Sequence, residues 1–205
     1  MRINLIVTRL VLAVTGQFNL KSLKNGLLPQ NSFPESEEGP AVAAVAIIIN
    51  PNDRGGSVLF IKRTERREDP WSGQIAFPGG RKSPMDKSLA DTAVRETEEE
   101  VGIHLSGHEL LGHLPIVTTR TQRMRVLPFV FQLKSTVSIC VGAEVAEVFW
   151  IPISDLGRLE VESREVRVDE GTLSADSYVY HGHVIWGLTF RIINLLLHRE
   201  AQSKS

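Results

Sequence analysis

Three glutamates, Glu96, Glu99 and Glu100, recur at one-turn spacing in the run Arg95-Glu96-Thr97-Glu98-Glu99-Glu100-Val101-Gly102-Ile103. Carboxylates are hard oxygen donors, suited to Mg2+ or Mn2+. On a helix, at about 100° per residue, the three fall within roughly 100° of arc and can converge on one cation, whereas Glu98 points elsewhere. Like charges one turn apart repel, so the arrangement becomes favourable when a cation neutralises it. Most acidic runs are solvated helix faces. The neighbouring Phe77-Pro78-Gly79-Gly80 separates this one from that reading: it ends an apolar stretch with residues that permit unusual backbone angles. A carbonyl or amide there can approach the same ion or a phosphate. The helix itself is legible from a stripe of Ala90, Ala93, Val94, Thr97 and Val101 that would bury against a sheet. Lys87, Asp91, Arg95 and Glu98 then face water or polar neighbours, and Gly102 supplies a stop.

These residues resemble the signature of the Nudix hydrolase family, G-x5-E-x7-R-E-U-x-E-E-x-G-U, where U is a bulky apolar residue. Arg95 to Ile103 matches its second half, with Thr97 at the U position. The first half departs: Lys87 stands where the pattern places Glu, and Asp86 lies at the five-residue spacing from Gly80, so one extra residue separates the halves. That spacing, with Asp for Glu, is similar to the coenzyme A pyrophosphatase branch of the family. Gly73-Gln74-Ile75-Ala76-Phe77-Pro78-Gly79-Gly80 resembles that branch's G-Q-x-A-F-P-G-G, Glu144 to Phe149 its E-V-A-E-V-F, and Ile185 to Thr189 its I-W-G-x-T. Its upstream arginine signature is matched only in part around Leu59 to Thr64. Arg67 falls one place early, and Asp69-Pro70-Trp71-Ser72 replaces the expected approach to the glycine.

The resemblance implies an α/β fold, a Nudix-type α/β/α sandwich with a mixed sheet, and hydrolysis of a pyrophosphate bond with Mg2+ or Mn2+. It implies Glu96 and Glu100 as leading metal ligands and Glu99 as a third ligand or the base that deprotonates water. A carbonyl of Gly79 or Gly80 would complete the site, and Arg95 would orient the acidic cluster by an ion pair. Glu144 and Glu147 are further candidates for the catalytic base, set against an ordinary strand with acidic residues facing water. Asp86 reads as a turn or helix-cap residue.

Arginine grips phosphate oxygens in two-pronged fashion, so Arg63, Arg67, Arg81, Arg120 and Arg125 are candidate substrate contacts, although most arginines are simply solvated. Thr118 to Arg125 combines hydroxyl and guanidinium groups in one loop. Trp71 is a candidate substrate-facing aromatic, whereas the apolar surroundings of Trp150 and Trp186 suggest core packing. His181-Gly182-His183 lacks a third ligand at metal spacing and reads as a surface turn.

A chain of 205 residues with 42% hydrophobic residues suits one domain with a sizeable core. Residues 1–40 read as an N-terminal arm and a proline-punctuated linker, 41–200 as the hydrolase domain and 201–205 as a tail. Ala44 to Ile49 and Ser57 to Ile61 are expected to form a hairpin, with further strands at Glu109 to Pro115, Arg125 to Leu133 and Ala146 to Trp150, and a second helix from Trp186 to His198. A net charge of −1 gives no basis for broad attachment to nucleic acid or an anionic membrane. One cysteine, Cys140, excludes an internal disulfide. Arg9 interrupts the apolar start, no cleavage site is clear, and no run reaches the ~20 apolar residues of a bilayer span. The expectation is therefore a soluble cytoplasmic protein, compatible with a homodimer, whose partner is a small-molecule nucleotide. Coenzyme A or acyl-coenzyme A is the first substrate expected, giving adenosine 3',5'-bisphosphate and a phosphopantetheine fragment. ADP-ribose or another nucleotide derivative is the alternative, and a noncatalytic nucleotide sensor is disfavoured by the intact glutamates.

Overall fold

The structure is a computed structural model describing residues 20–29, 42–52, 55–66, 71–120, 123–168 and 171–202. The linker at 30–40, residues 1–19, Arg67 and residues 203–205 lie outside the described residues. The expected hairpin forms: β1 (Ala43–Asn50) and β2 (Ser57–Arg63) pair antiparallel, with Ile49 opposite Val58. β1 also runs parallel to β7 (Arg125–Gln132), from Ala43 opposite Val126 to Ile49 opposite Gln132. With both edges paired, β1 is buried on both faces, which is why its sequence is a continuous apolar run rather than an alternation. β3 (Ile75–Ala76) and β8 (Val145–Pro152) add to β2, β4 (Gly79–Arg81) to β1, and β5 (Glu109–His113) and β6 (Val117–Thr118) to β7. Among the described residues these eight strands form one mixed sheet.

Period-two geometry sends alternate β1 side chains to two cores. Ala43, Val45, Ile47 and Ile49 pack with Phe60 and Phe77 beneath the C-terminal helix, while Ala44, Ala46 and Ile48 pack beneath the glutamate-bearing helix. The latter, α2 (Leu89–Val101), buries Ala93, Thr97 and Val101. Thr97, the polar replacement in the signature, is tolerated because its hydroxyl donates to Ala93 O at 2.7 Å and leaves only its methyl to pack. The opposite layer holds α4 (Gly187–Gln202), which contributes Ile192, Ile193 and Leu196, and α1 (Leu20–Gly26), which inserts Leu23. Helices thus cover both faces of a mixed sheet, the expected α/β/α sandwich. No helix among the described residues is long and apolar enough to cross a membrane.

A second, three-stranded sheet lies outside the sequence-based expectation: β9 (Glu162–Val168), β10 (Gly171–Tyr180) and β11 (His183–Trp186), reached after the short α3 (Ile153–Leu156). β9 is exposed along most of its length and so carries little apolar pattern. Its neighbours β10 and β11 meet at the turn His181-Gly182, where both residues take positive φ, 46° and 87°.

Ser88, rather than Asp86, caps α2, in a capping box with Asp91. Asp86 sits in the preceding turn, buried, where its carboxylate accepts from Ser83 N at 2.8 Å and Thr92 Oγ1 at 2.9 Å. It also accepts from Arg95 Nε at 2.9 Å and Nη2 at 3.0 Å. The extra residue between the halves of the signature falls after Asp86, which still reaches Arg95; the turn before it is closed by Asp86 N donating to Ser83 O at 3.0 Å. The Arg95 guanidinium first, and the Ser83 and Thr92 donors after it, hold the Asp86 carboxyl well below the usual carboxylate range against the opposing effect of burial. A depressed folded-state pKa makes this contribution complete above about pH 4 and lost as the pH falls further. Asp86→Asn is expected to cost about 2 kcal/mol, lowering Tm by roughly 4–8 °C at neutral pH. The gap between variant and wild type should shrink in melts below pH 3; an equal gap at all pH values would show that the charge of Asp86 contributes nothing.

Candidate active site

At the β4 edge of the sheet a cavity of about 300 Å³ opens between α2, β1 and the start of α4. Glu96 and Glu100 line it from α2, Glu144 from the approach to β8, and Arg63 and Arg81 from the ends of β2 and β4. Glu100 is 5% exposed, and its Oε2 accepts from Gly79 N at 2.9 Å. Its Oε1 lies 3.5 Å from Arg63 Nη1. Burial pushes the Glu100 carboxyl up to about 7, the Gly79 amide and Arg63 opposing that shift and the charges of Glu96 and Glu144 adding to it. Burial likewise raises Glu96, partly offset by Arg95, whose Nη2 lies 2.9 Å from Glu96 Oε1.

The glycines work by what they lack. A Cβ on Gly80 would stand 2.4 Å from Glu96 Oε1, and one on Gly79 2.3 Å from Ala44 O. Only bare backbone lets α2 press its carboxylates this closely onto β4. Gly79 reaches the helix through its amide, which donates to Glu100 Oε2.

The structure divides the remaining predicted residues. Glu99 is largely exposed and bound to Arg95 Nη1 at 3.0 Å, away from the cavity lining, so the three glutamates do not converge as helix geometry alone suggested. Glu147 also stays off the cavity: its Oε1 lies 3.4 Å from His183 Nε2, and the His183 ring stacks on Phe149 at 4.3 Å. Arg95 is committed to Asp86, Glu96 and Glu99. Glu144 is exposed, held by Arg66 Nη1 at 3.3 Å and Arg63 Nη2 at 3.6 Å. Arg125 is buried and lines neither this cavity nor its neighbour; its Nε and Nη1 have no hydrogen-bond partner among the described residues. Trp71 lines the main cavity and an adjoining one of about 120 Å³, to which Arg120 contributes. Trp150 packs against the α2 core, whereas Trp186 lines the adjoining cavity instead of a core. Sequence reasoning did not single out Gln74, Leu188 and Thr189, all part of the main lining, which also takes Thr119 from the 118–125 loop noted in the sequence. Thr189 donates to Ile75 O at 2.9 Å and so fixes α4 to β3. Gln74 and Thr189 stand in the two resembling motifs, the one signal that pointed to them.

No three His, Cys, Asp or Glu side chains among the described residues gather into a cage for a metal ion. The donor chemistry nevertheless fits Mg2+ or Mn2+. Mg2+ usually keeps several waters and takes one or two carboxylates together with substrate phosphates, and Glu96 and Glu100 are two such carboxylates, raised by burial beside open space.

A profile of the NUDIX domain family matches residues 39–169, more than half of the chain. Among similar proteins, one from Yersinia enterocolitica, described as an uncharacterized Nudix hydrolase NudL, is 32% identical over 173 residues, covering 82% of this chain and 85% of its own. The protein of the same description from Photorhabdus laumondii is 38% identical over 158 residues, covering 76% and 82%. A crystal structure of a MutT/nudix family protein from Enterococcus faecalis aligns with a TM-score of 0.48 at 19% identity, over 85% of this chain and 64% of that one. A structural likeness of that size says nothing about substrate. With its signature helix laid against a side-chain-free glycine strand, the chain belongs to the Nudix family, as a hydrolase acting on phosphoric anhydrides.

Proposed function

We propose that the cavity performs divalent-metal-dependent hydrolysis of the pyrophosphate bond in coenzyme A or acyl-coenzyme A, with Glu96 and Glu100 as metal ligands and Glu144 as the base. The observation that carries the metal and base assignments is the meeting of one buried and one half-buried carboxylate, both raised, with a third, exposed one around a single 300 Å³ cavity. A bound Mg2+ or Mn2+ would offset the charge of the diphosphate and lower the pKa of attacking water. Gly79 N and Arg63 hold Glu100 in place, and Arg95 does the same for Glu96. Glu144, with one edge turned to two arginines, accepts the proton of the attacking water as a P–O bond of the bridge breaks. Arg81, on the lining, offers a cation to the phosphates. Support for coenzyme A comes from the G-Q-x-A-F-P-G-G, E-V-A-E-V-F and I-W-G-x-T resemblances, all of which fall on or beside the lining. A cytoplasmic setting belongs to the same reading.

Glu100→Gln keeps the acceptor for Gly79 N while removing a charge that burial disfavours, so the protein should fold normally. Its turnover should fall more than tenfold, about 1.4 kcal/mol or more in the barrier; a normal rate in the folded variant would sink the ligand assignment. Glu144→Gln should lose kcat with KM little changed, whereas Glu147→Gln, off the cavity, should behave as wild type. Unaltered kinetics for Glu144→Gln would return the role to Glu99.

Gly80→Ala provides a separate check on the geometry. The added methyl meets the end of a flexible side chain, so Tm should shift by no more than about 3 °C, the equivalent of roughly 1 kcal/mol. Displacing Glu96 should nonetheless lower kcat at least tenfold; full activity would show that its position against β4 is immaterial. For substrate, phosphorus-containing products should be measured for coenzyme A, ADP-ribose, diadenosine polyphosphates and nucleoside triphosphates with Mg2+. Better turnover of ADP-ribose than of coenzyme A would overturn the substrate assignment and leave the metal chemistry intact.

A further inference from the structure

The adjoining cavity is built mostly from parts outside the signature. Leu173 comes from β10, Trp186 from β11, and Phe190 and Arg191 from α4, with Arg120 from the loop after β6. Trp71, Gln74, Thr119 and Leu188 line both cavities, so the two lie side by side and share a wall. The apolar lining is rich in flat rings, and the charged part holds two arginines against one exposed aspartate, Asp176.

The arginines are arranged at a cost. Arg191 donates from Nη2 to Thr118 O at 2.6 Å and from Nε to Gly187 O at 3.3 Å, which ties α4 to the 118–120 segment. That tie brings its guanidinium near Arg120, and burial first, then the Arg120 charge, pulls the Arg191 pKa below its ordinary value. Arg191 Nη1 has no partner among the described residues, and Arg120 has no carboxylate partner there. Two cations kept together beside aromatic walls are favourable when an anion with a planar base binds between them.

We infer that this second cavity is the subsite for a nucleoside bearing its own phosphate monoester, with the base against Trp71, Trp186 and Phe190 and the monoester on Arg120 and Arg191. The inference rests on the hydrolase reading of the carboxylate cavity, which receives the scissile diphosphate through the shared wall. It also assigns the direction in which a coenzyme A-like substrate lies. A pantetheine or acyl arm has no charge beyond the diphosphate and would leave the arginine pair without a counter-ion.

Calorimetric titration of the full chain with adenosine 3',5'-bisphosphate and with AMP isolates the subsite from catalysis. Wild type should bind the bisphosphate at least tenfold more tightly than AMP, and Arg120→Gln should bring that ratio close to one. Arg191→Lys, which keeps the charge and loses the fork, should lower the ratio in part. Equal affinities for the two ligands in wild type, or a ratio that survives in both variants, would overturn the subsite. Turnover of coenzyme A and dephospho-coenzyme A provides the second axis. If neither is hydrolysed while the bisphosphate preference and its loss in Arg120→Gln are seen, the coenzyme A reading fails and the subsite stands. If coenzyme A is hydrolysed no more efficiently than dephospho-coenzyme A and the binding ratio is one, the substrate reading holds and the subsite fails.

Discussion

The close approach of α2 to β4 governs everything in the candidate active site. Helix and strand can touch there because Gly80 presents backbone alone, leaving room for the Glu96 carboxylate where a Cβ would stand, while Gly79 lies bare against Ala44 and Val45 of β1. On the same helix face, Ala44 and Ala46 of β1 keep the sheet shallow under Ala93 and Val101. The result is one buried and one half-buried carboxylate at a sheet edge, a costly arrangement that a cation and phosphate ligands would relieve.

Such a cluster needs charge compensation before any ligand arrives. Arg95 supplies it by bridging Asp86, Glu96 and Glu99, and Arg63 by spanning Glu100 and Glu144. Arg95 is in turn positioned by Asp86, whose buried carboxylate is saturated by four donors in the turn and helix. The departure from the family spacing therefore does not detach Asp86: with one residue more between the two, it still reaches the arginine. The same hub explains why Glu99 faces outward, since it takes the remaining edge of the guanidinium.

Specificity draws on a different layer. The three-stranded sheet and the start of α4 contribute no carboxylate ligand; they extend the cleft and line it with aromatic and cationic groups. On the proposed reading, metal chemistry and substrate choice reside on separate elements, joined at Trp71, Gln74, Thr119 and Leu188. The fold can vary one without disturbing the other.

The sequence by itself determined what depends on local periodicity and backbone freedom. The apolar run of β1, the stripe on α2, the Gly102 stop and the glycine turn are short-range features, and each stands in the structure where the residues foretold it. It also named Glu96, Glu100, Glu144, Arg63 and Arg81, which the structure gathers around one cavity. Tertiary structure alone decided how the candidates were sorted. Helix spacing places Glu99 beside Glu100, but Arg95 draws it to the solvent side. Glu144 and Glu147 lie three residues apart, yet a register shift between Lys62 and Arg63 accompanies their separation, one to the cavity and the other to His183. The mainly exposed β9, although a hairpin partner of the adjacent β10, carries little apolar pattern, and the proximity of Arg120 to Arg191 had no local signal because it exists only through contact between segments distant in the chain.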